Sequence, residues 1–114
     1  MKVILNIGLA REGKPDIGPC VALQAVRSYG FAPELSKIDV SDTERTLIVK
    51  TEAGHDLFYR AHRLAETLEQ DCIAVATERG AGKLYGPRAA AWGAFNPAFF
   101  IMPDGRRLSH HLGA

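Results

Sequence analysis

The stretch RTLIVKTEAGHDLFYRAHRLAETLEQDCIAVA, residues 45–76, decides the fold. In its middle, Leu57, Phe58, Ala61, Leu64, Ala65 and Leu68 recur at helical spacing while Arg60, Arg63, Glu66 and Glu69 fall on the other side, the pattern of a helix with one apolar face. Burying Leu57, Phe58, Leu64 and Leu68 would contribute about 6–12 kcal/mol before conformational entropy is subtracted, at roughly 1.5–3 kcal/mol each. On either side lie Arg45 to Thr51, rich in β-branched residues, and Cys72 to Ala76, a short apolar run suited to a central strand. The stretch therefore reads strand, helix, strand.

Working outward, Val3, Leu5, Ile7 and Leu9 alternate with Ile4, Asn6 and Gly8, which predicts a first strand over residues 2–9. Asp16 and Pro19 open a helix carrying Val21, Ala22, Ala25, Val26 and Tyr29, with Gly30 as its stop. Pro33 begins an extended piece, Leu35 to Val40, joined by Ser41-Asp42-Thr43-Glu44 to the strand at Arg45 in an antiparallel hairpin. The order is β-α-β-β-α-β. It predicts an α+β protein with a ferredoxin-like βαββαβ core over residues 1–78, two helices covering one face of a four-stranded antiparallel sheet. Residues 79–114 are an extension packed on that core, all within one domain. In the extension, Glu78 to Lys83 is a turn before extended Leu84-Tyr85, Gly86-Pro87 breaks the chain, Ala89 to Trp92 forms one helical turn, and Phe99 to Met102 pairs with Arg106 to Leu108 around Pro103-Asp104-Gly105.

Composition narrows the class. Of 114 residues, 46% are hydrophobic and 24% charged, ordinary values for a chain that folds on its own. The first apolar run meets charge at Arg11 and Glu12, too early for a signal peptide, and no run approaches a membrane span, so a cytoplasmic protein is expected. Cys20 and Cys72 fit no Cys-x-x-Cys or Cys/His pattern and are expected to stay thiols. The net charge of +1 hides a step: residues 1–78 carry nine Lys/Arg against twelve Asp/Glu, and residues 79–114 five against one.

Catalytic templates fail one after another. Gly80-Ala81-Gly82-Lys83 suggests a phosphate loop, but Thr77 and Leu84 stand where that motif needs Gly and Ser or Thr, so a plain turn is favoured over an anion site aided by Arg79 and Arg88. The order of elements raises the RNA-recognition motif, yet neither the first strand nor Thr46 to Thr51 carries the aromatics that stack bases there. No serine sits in a nucleophile pattern except Ser109 beside His110 in a tail expected to be mobile. Cys20 near a helix start would gain reactivity from the helix dipole, although a buried, inert thiol is the plainer expectation. His55 and His62, seven apart, cannot share an ion, and His110 with His111 have no nearby partners, so no metal or cofactor is expected. Asp39, Asp42 and Glu44 read as a solvated turn.

Residues 79–107 remain. Arg79, Lys83, Arg88, Arg106 and Arg107 interleave with Tyr85, Trp92, Phe95, Phe99 and Phe100, five of the nine aromatics in the chain. Covering the sheet is one use for such rings. The other is a contact surface, and the sequence points to a small non-enzymatic binding protein, an adaptor or inhibitor of the kind carried as accessory genes by mobile elements. Its partner would be a protein rather than a nucleic acid, met through Arg79, Lys83, Tyr85, Arg88, Trp92 and Asn96. Two alternatives stand beside it: a homodimeric or larger enzyme or ligand-binding domain with a subunit-interface pocket bordered by Ile4, Asn6, Gly8 and Glu78, and single-stranded nucleic-acid binding.

Overall fold

The structure, a computed structural model, describes residues 1–40 and 44–113. Five strands, β1 (Lys2–Gly8), β2 (Pro33–Val40), β3 (Arg45–Glu52), β4 (Ile73–Ala76) and β5 (Gly82–Tyr85), form one sheet in the order β2-β3-β1-β4-β5, every pair antiparallel. Two helices, α1 (Pro19–Ser28) and α2 (Leu57–Thr67), connect β1 to β2 and β3 to β4. The α+β class holds. The sheet differs from the four-stranded one expected, because residues 82–85 hydrogen-bond to β4 and extend it: the Thr77–Ala81 turn, with Thr77 N–H donating to Ala81 O at 2.8 Å, folds β5 straight back. The expected hairpin turn Ser41-Asp42-Thr43 lies outside the described residues.

Alternation along the strands sorts the core into two layers. Val3, Leu5 and Ile7 of β1, Leu47 and Val49 of β3, and Ile73 and Val75 of β4 pack against Ala22 and Val26 of α1 and Ala61, Leu64 and Ala65 of α2. The opposite face, Ile4, Ile48 and Ala76, is covered by Phe100, Ile101, Met102 and Leu108. Among the described residues, no helix is long and apolar enough to cross a membrane.

Several local expectations change. Helix α1 starts at Pro19 with Gly18 as its cap, later than Asp16, since Ile17 is buried and its N–H bonds to Leu9 O at 2.7 Å. It stops where expected: Gly30 takes φ 86°, open to glycine, and Phe31 N–H reaches back to Val26 O. Phe58, expected inside, is 62% exposed; the buried stripe runs through Leu57, Ala61, Leu64, Ala65 and Leu68. Ala89–Trp92 is a 3₁₀ turn. The closing hairpin shrinks to one bridge, Ile101 to Arg107, flanked by a 3₁₀ turn (Pro97–Phe99) and a short helix α3 (Leu108–His111) that includes the tail residues Ser109 and His110.

Candidate functional site

The C-terminal layer covers only part of the sheet face opposite α1 and α2, and beside it opens a cleft of about 510 Å³. Its floor is made by the residues that alternation turns toward that face, Asn6 and Gly8 of β1, Thr46 of β3, Ala74 of β4 and Leu84 of β5. One wall is aromatic: Trp92, Phe95, Phe99 and Phe100 come from the two 3₁₀ turns and the segment after them. Glu44, Gln70, Asp71 and Cys72 line the cleft from the start of β3 and from the connection between α2 and β4, and Arg107 completes it.

Each part is held in place. Asn6 Nδ2 donates to Ile101 O at 2.9 Å and Ile101 N–H donates to Asn6 Oδ1 at 2.8 Å, pinning the C-terminal layer to the centre of the sheet. In the 101–107 bridge the hairpin bonds are made by the flanking residues, Met102 N–H to Arg106 O and Leu108 N–H to Phe100 O, each 2.8 Å. The main-chain groups of Ile101 are thereby left facing Asn6. Gln70 Nε2 donates to Gly8 O at 2.5 Å and Ala10 O at 3.0 Å, fixing the other end.

Asp71 is the anchor of the aromatic wall. Its Oδ2 accepts the indole N–H of Trp92 at 2.9 Å, its Oδ1 lies 2.6 Å from Arg88 Nη2, and its carbonyl accepts Arg88 N–H at 3.0 Å. Trp92 is 65% exposed and Phe99 76%, so both rings offer area to a ligand. Asn96 Oδ1 accepts Ala98 N–H at 2.9 Å and caps the turn that carries Phe99, while Arg107 Nη1 donates to Phe99 O at 3.2 Å. Phe95 packs on Phe100 and lies over Gly82, where any Cβ would run into its ring.

Two titratable groups in the cleft are displaced from their ordinary behaviour. Burial raises the Glu44 carboxyl. Burial raises the Cys72 thiol as well, helped by the negative charges of Asp71 and Glu44. A thiol so placed ionises less readily than an ordinary cysteine, which lowers the share of the nucleophilic thiolate.

The six residues singled out in the sequence do not form one surface. Trp92 and Asn96 line the cleft, and Arg88 braces it from outside through Asp71. Lys83 and Tyr85 line a second, smaller hollow of about 240 Å³ with Val3 and Leu57, and Tyr85 meets Phe58 edge to face at 5.6 Å. Arg79 is exposed at the turn between β4 and β5. Of the residues expected to border a pocket, Asn6 and Gly8 do so, Ile4 is buried under the C-terminal layer, and Glu78 pairs with Lys50 at 2.7 Å. Glu44, Thr46, Gln70, Asp71 and Cys72 were not foreseen at a site. Thr46 carried a signal, a position of β3 that alternates with the core residues Leu47 and Val49; the others lie on connections that have no periodicity to read. The chain matches no protein-family model, and comparison with curated proteins and with solved structures gives no significant match.

Proposed function

We propose that this protein is a non-enzymatic binding protein whose site is the cleft beside the C-terminal layer, and whose ligand is a small molecule with a planar apolar ring bearing a nitrogen donor. The observation that carries this reading is Trp92, a ring two-thirds exposed whose indole N–H is nonetheless tied to Asp71. An exposed aromatic with restricted freedom loses little entropy when a ligand stacks on it. Phe99 supplies a second ring and Glu44 an acceptor for the ligand's N–H, and a volume of about 510 Å³ suits a drug-sized molecule. The raised Cys72 thiol favours binding over nucleophilic chemistry. The sheet succession β2-β3-β1-β4, with both helices on one face, also supports a ferredoxin-like core carrying β5 as an added edge.

Trp92 is the one tryptophan of the chain, so its emission reports on the cleft alone. A screen of aromatic amines by Trp92 fluorescence, followed by titration of Phe99→Ala and Glu44→Ala, tests the reading. Each variant is expected to bind a hit about tenfold more weakly, the loss of one good contact of about 1.4 kcal/mol. Hits that bind all three proteins equally would overturn it.

A second reading, a macromolecular partner on the basic and aromatic C-terminal surface, is favoured by how far the Trp92 and Phe99 rings stand out. A partner recovered by the native protein and lost with Arg88→Glu/Phe99→Ala would support it; equal recovery by both would remove it.

A further inference from the structure

The two edges of the sheet are unlike. Strand β5 is four residues long, carries Lys83, and has the Phe95 ring lying over Gly82, all features that discourage pairing with another strand. Strand β2 is eight residues long and hydrogen-bonds on one side only, to β3. It leaves Leu35, Ile38 and Val40 exposed at 41%, 38% and 68%. An edge of that length with apolar side chains is a template for a further strand.

From this edge we infer that the protein pairs with a second copy of itself, β2 against β2, antiparallel, about a two-fold axis through Ile38. The sequence of β2 selects the register. Ser36 and Ile38 lie opposite Val49 and Leu47, which pack under the helices, so Ser36, Ile38 and Val40 share the helix face, while Lys37 and Asp39, opposite Ile48 and Thr46, share the other. An axis perpendicular to the sheet keeps the faces matched only if it passes through a residue. Through Lys37 it would set Lys37 against its own copy, and through Asp39 it would do the same for two carboxylates. Through Ile38 it stacks Ile38 on Ile38, sets Val40 against Ser36, and places Lys37 opposite Asp39 twice. Neither Lys37 nor Asp39 forms an ion pair within the chain among the described residues, so both charges are available for this use. The two five-stranded sheets would become one continuous sheet with all four long helices on one side. With so short a paired segment the association is of the weak, concentration-dependent kind.

Sedimentation equilibrium of the whole chain from micromolar to millimolar concentration tests the inference. The native protein is expected to dimerise, and Lys37→Asp alone or Asp39→Lys alone to weaken the dimer about tenfold or more, because each sets two like-charge pairs across the axis. The double variant Lys37→Asp/Asp39→Lys restores both pairs and the dimer. A mixture of the two single variants does the same, because each copy then presents the charge that the other lacks. Circular dichroism and melting temperature check that each variant is folded. A native protein that stays monomeric throughout, or a dimer indifferent to these charges, would overturn the proposal.

Discussion

The side-chain amide of Asn6 holds both main-chain polar groups of Ile101, donating to its carbonyl at 2.9 Å and accepting from its N–H at 2.8 Å. A side chain in the middle of β1 thus does for residue 101 what a neighbouring strand would do, and the C-terminal layer takes its height above the sheet from that contact. Asn6→Ala leaves two partly buried groups without partners and is expected to cost about 1–3 kcal/mol in urea denaturation. Asn6→Asp does not rescue the loss, since it would set a carboxylate oxygen against the Ile101 carbonyl. Hydrogen exchange should quicken at Ile101 in Asn6→Ala, which removes the acceptor of its N–H, while the amides of β3 keep their protection.

Helix α2 separates two residues that its sequence puts together. Leu64 is fully buried between the helix and the sheet, and Leu64→Ala is expected to cost about 2–5 kcal/mol. Phe58 faces outward against His62 and Tyr85. Phe58→Ala should cost only about 0.5–1.5 kcal/mol, the worth of its edge-to-face pair with Tyr85. Thermal melts of the two variants give the comparison, and a Phe58→Ala loss as large as that of Leu64→Ala would contradict the packing described.

That contrast marks how far the sequence could be read. The first 76 residues follow period and punctuation: alternation placed Val3, Leu5 and Ile7 under the helices, the helical spacing found Leu57, Ala61, Leu64 and Ala65, and Gly30 ended α1. Phe58 misled because its spacing fits the apolar stripe at its margin, where helical periodicity cannot say which side of the boundary a large ring takes. The cleft was half legible. Asn6 and Gly8 stand out as a polar and a minimal residue on the inner face of a central strand, and Trp92 and Asn96 were singled out for their chemistry. Asp71, Gln70 and Glu44 were not, because their roles depend on contacts with residues far away in the chain: Asp71 with Trp92, and Gln70 with Gly8. The grouping of Lys83 and Tyr85 with Trp92 failed for a simpler reason. Neighbours along β5 point to opposite faces, so Lys83 and Tyr85 share the face opposite to Leu84.

Glu44 gives the fold an unusual pH term. Burial raises its carboxyl, so the folded protein holds that proton more tightly than the unfolded chain does. Stability from this group therefore falls as pH rises from the unfolded carboxylate value through the raised folded one. Glu78 and Asp104 work in the opposite sense: the Lys50 ammonium and the Arg106 N–H lower them, and what they contribute is present above the unfolded value and lost as pH falls through the folded one. Glu78→Gln should thus melt slightly lower than the native protein at neutral pH, with the deficit disappearing in acid. A deficit that is constant with pH would show that the Lys50 pair is not its source.

The two cysteines should differ in reactivity, and Cys20, expected from the sequence to be buried and inert, is the exposed one. Cys20 is exposed on the first turn of α1, whereas Cys72 is half-buried with its thiol raised by burial and by the charges of Asp71 and Glu44. Because the thiolate is the reacting species, alkylation by iodoacetamide at mildly alkaline pH should label Cys20 first and Cys72 more slowly. Replacing a carboxylate near Cys72 lowers its thiol toward the ordinary value, so Glu44→Gln should speed labelling at Cys72 and leave Cys20 unchanged. Peptide mass mapping over a time course reads both sites in one experiment. Equal rates at the two sites, or a Cys72 rate indifferent to Glu44→Gln, would mean that the carboxylates do not act on the thiol as the geometry of the cleft requires.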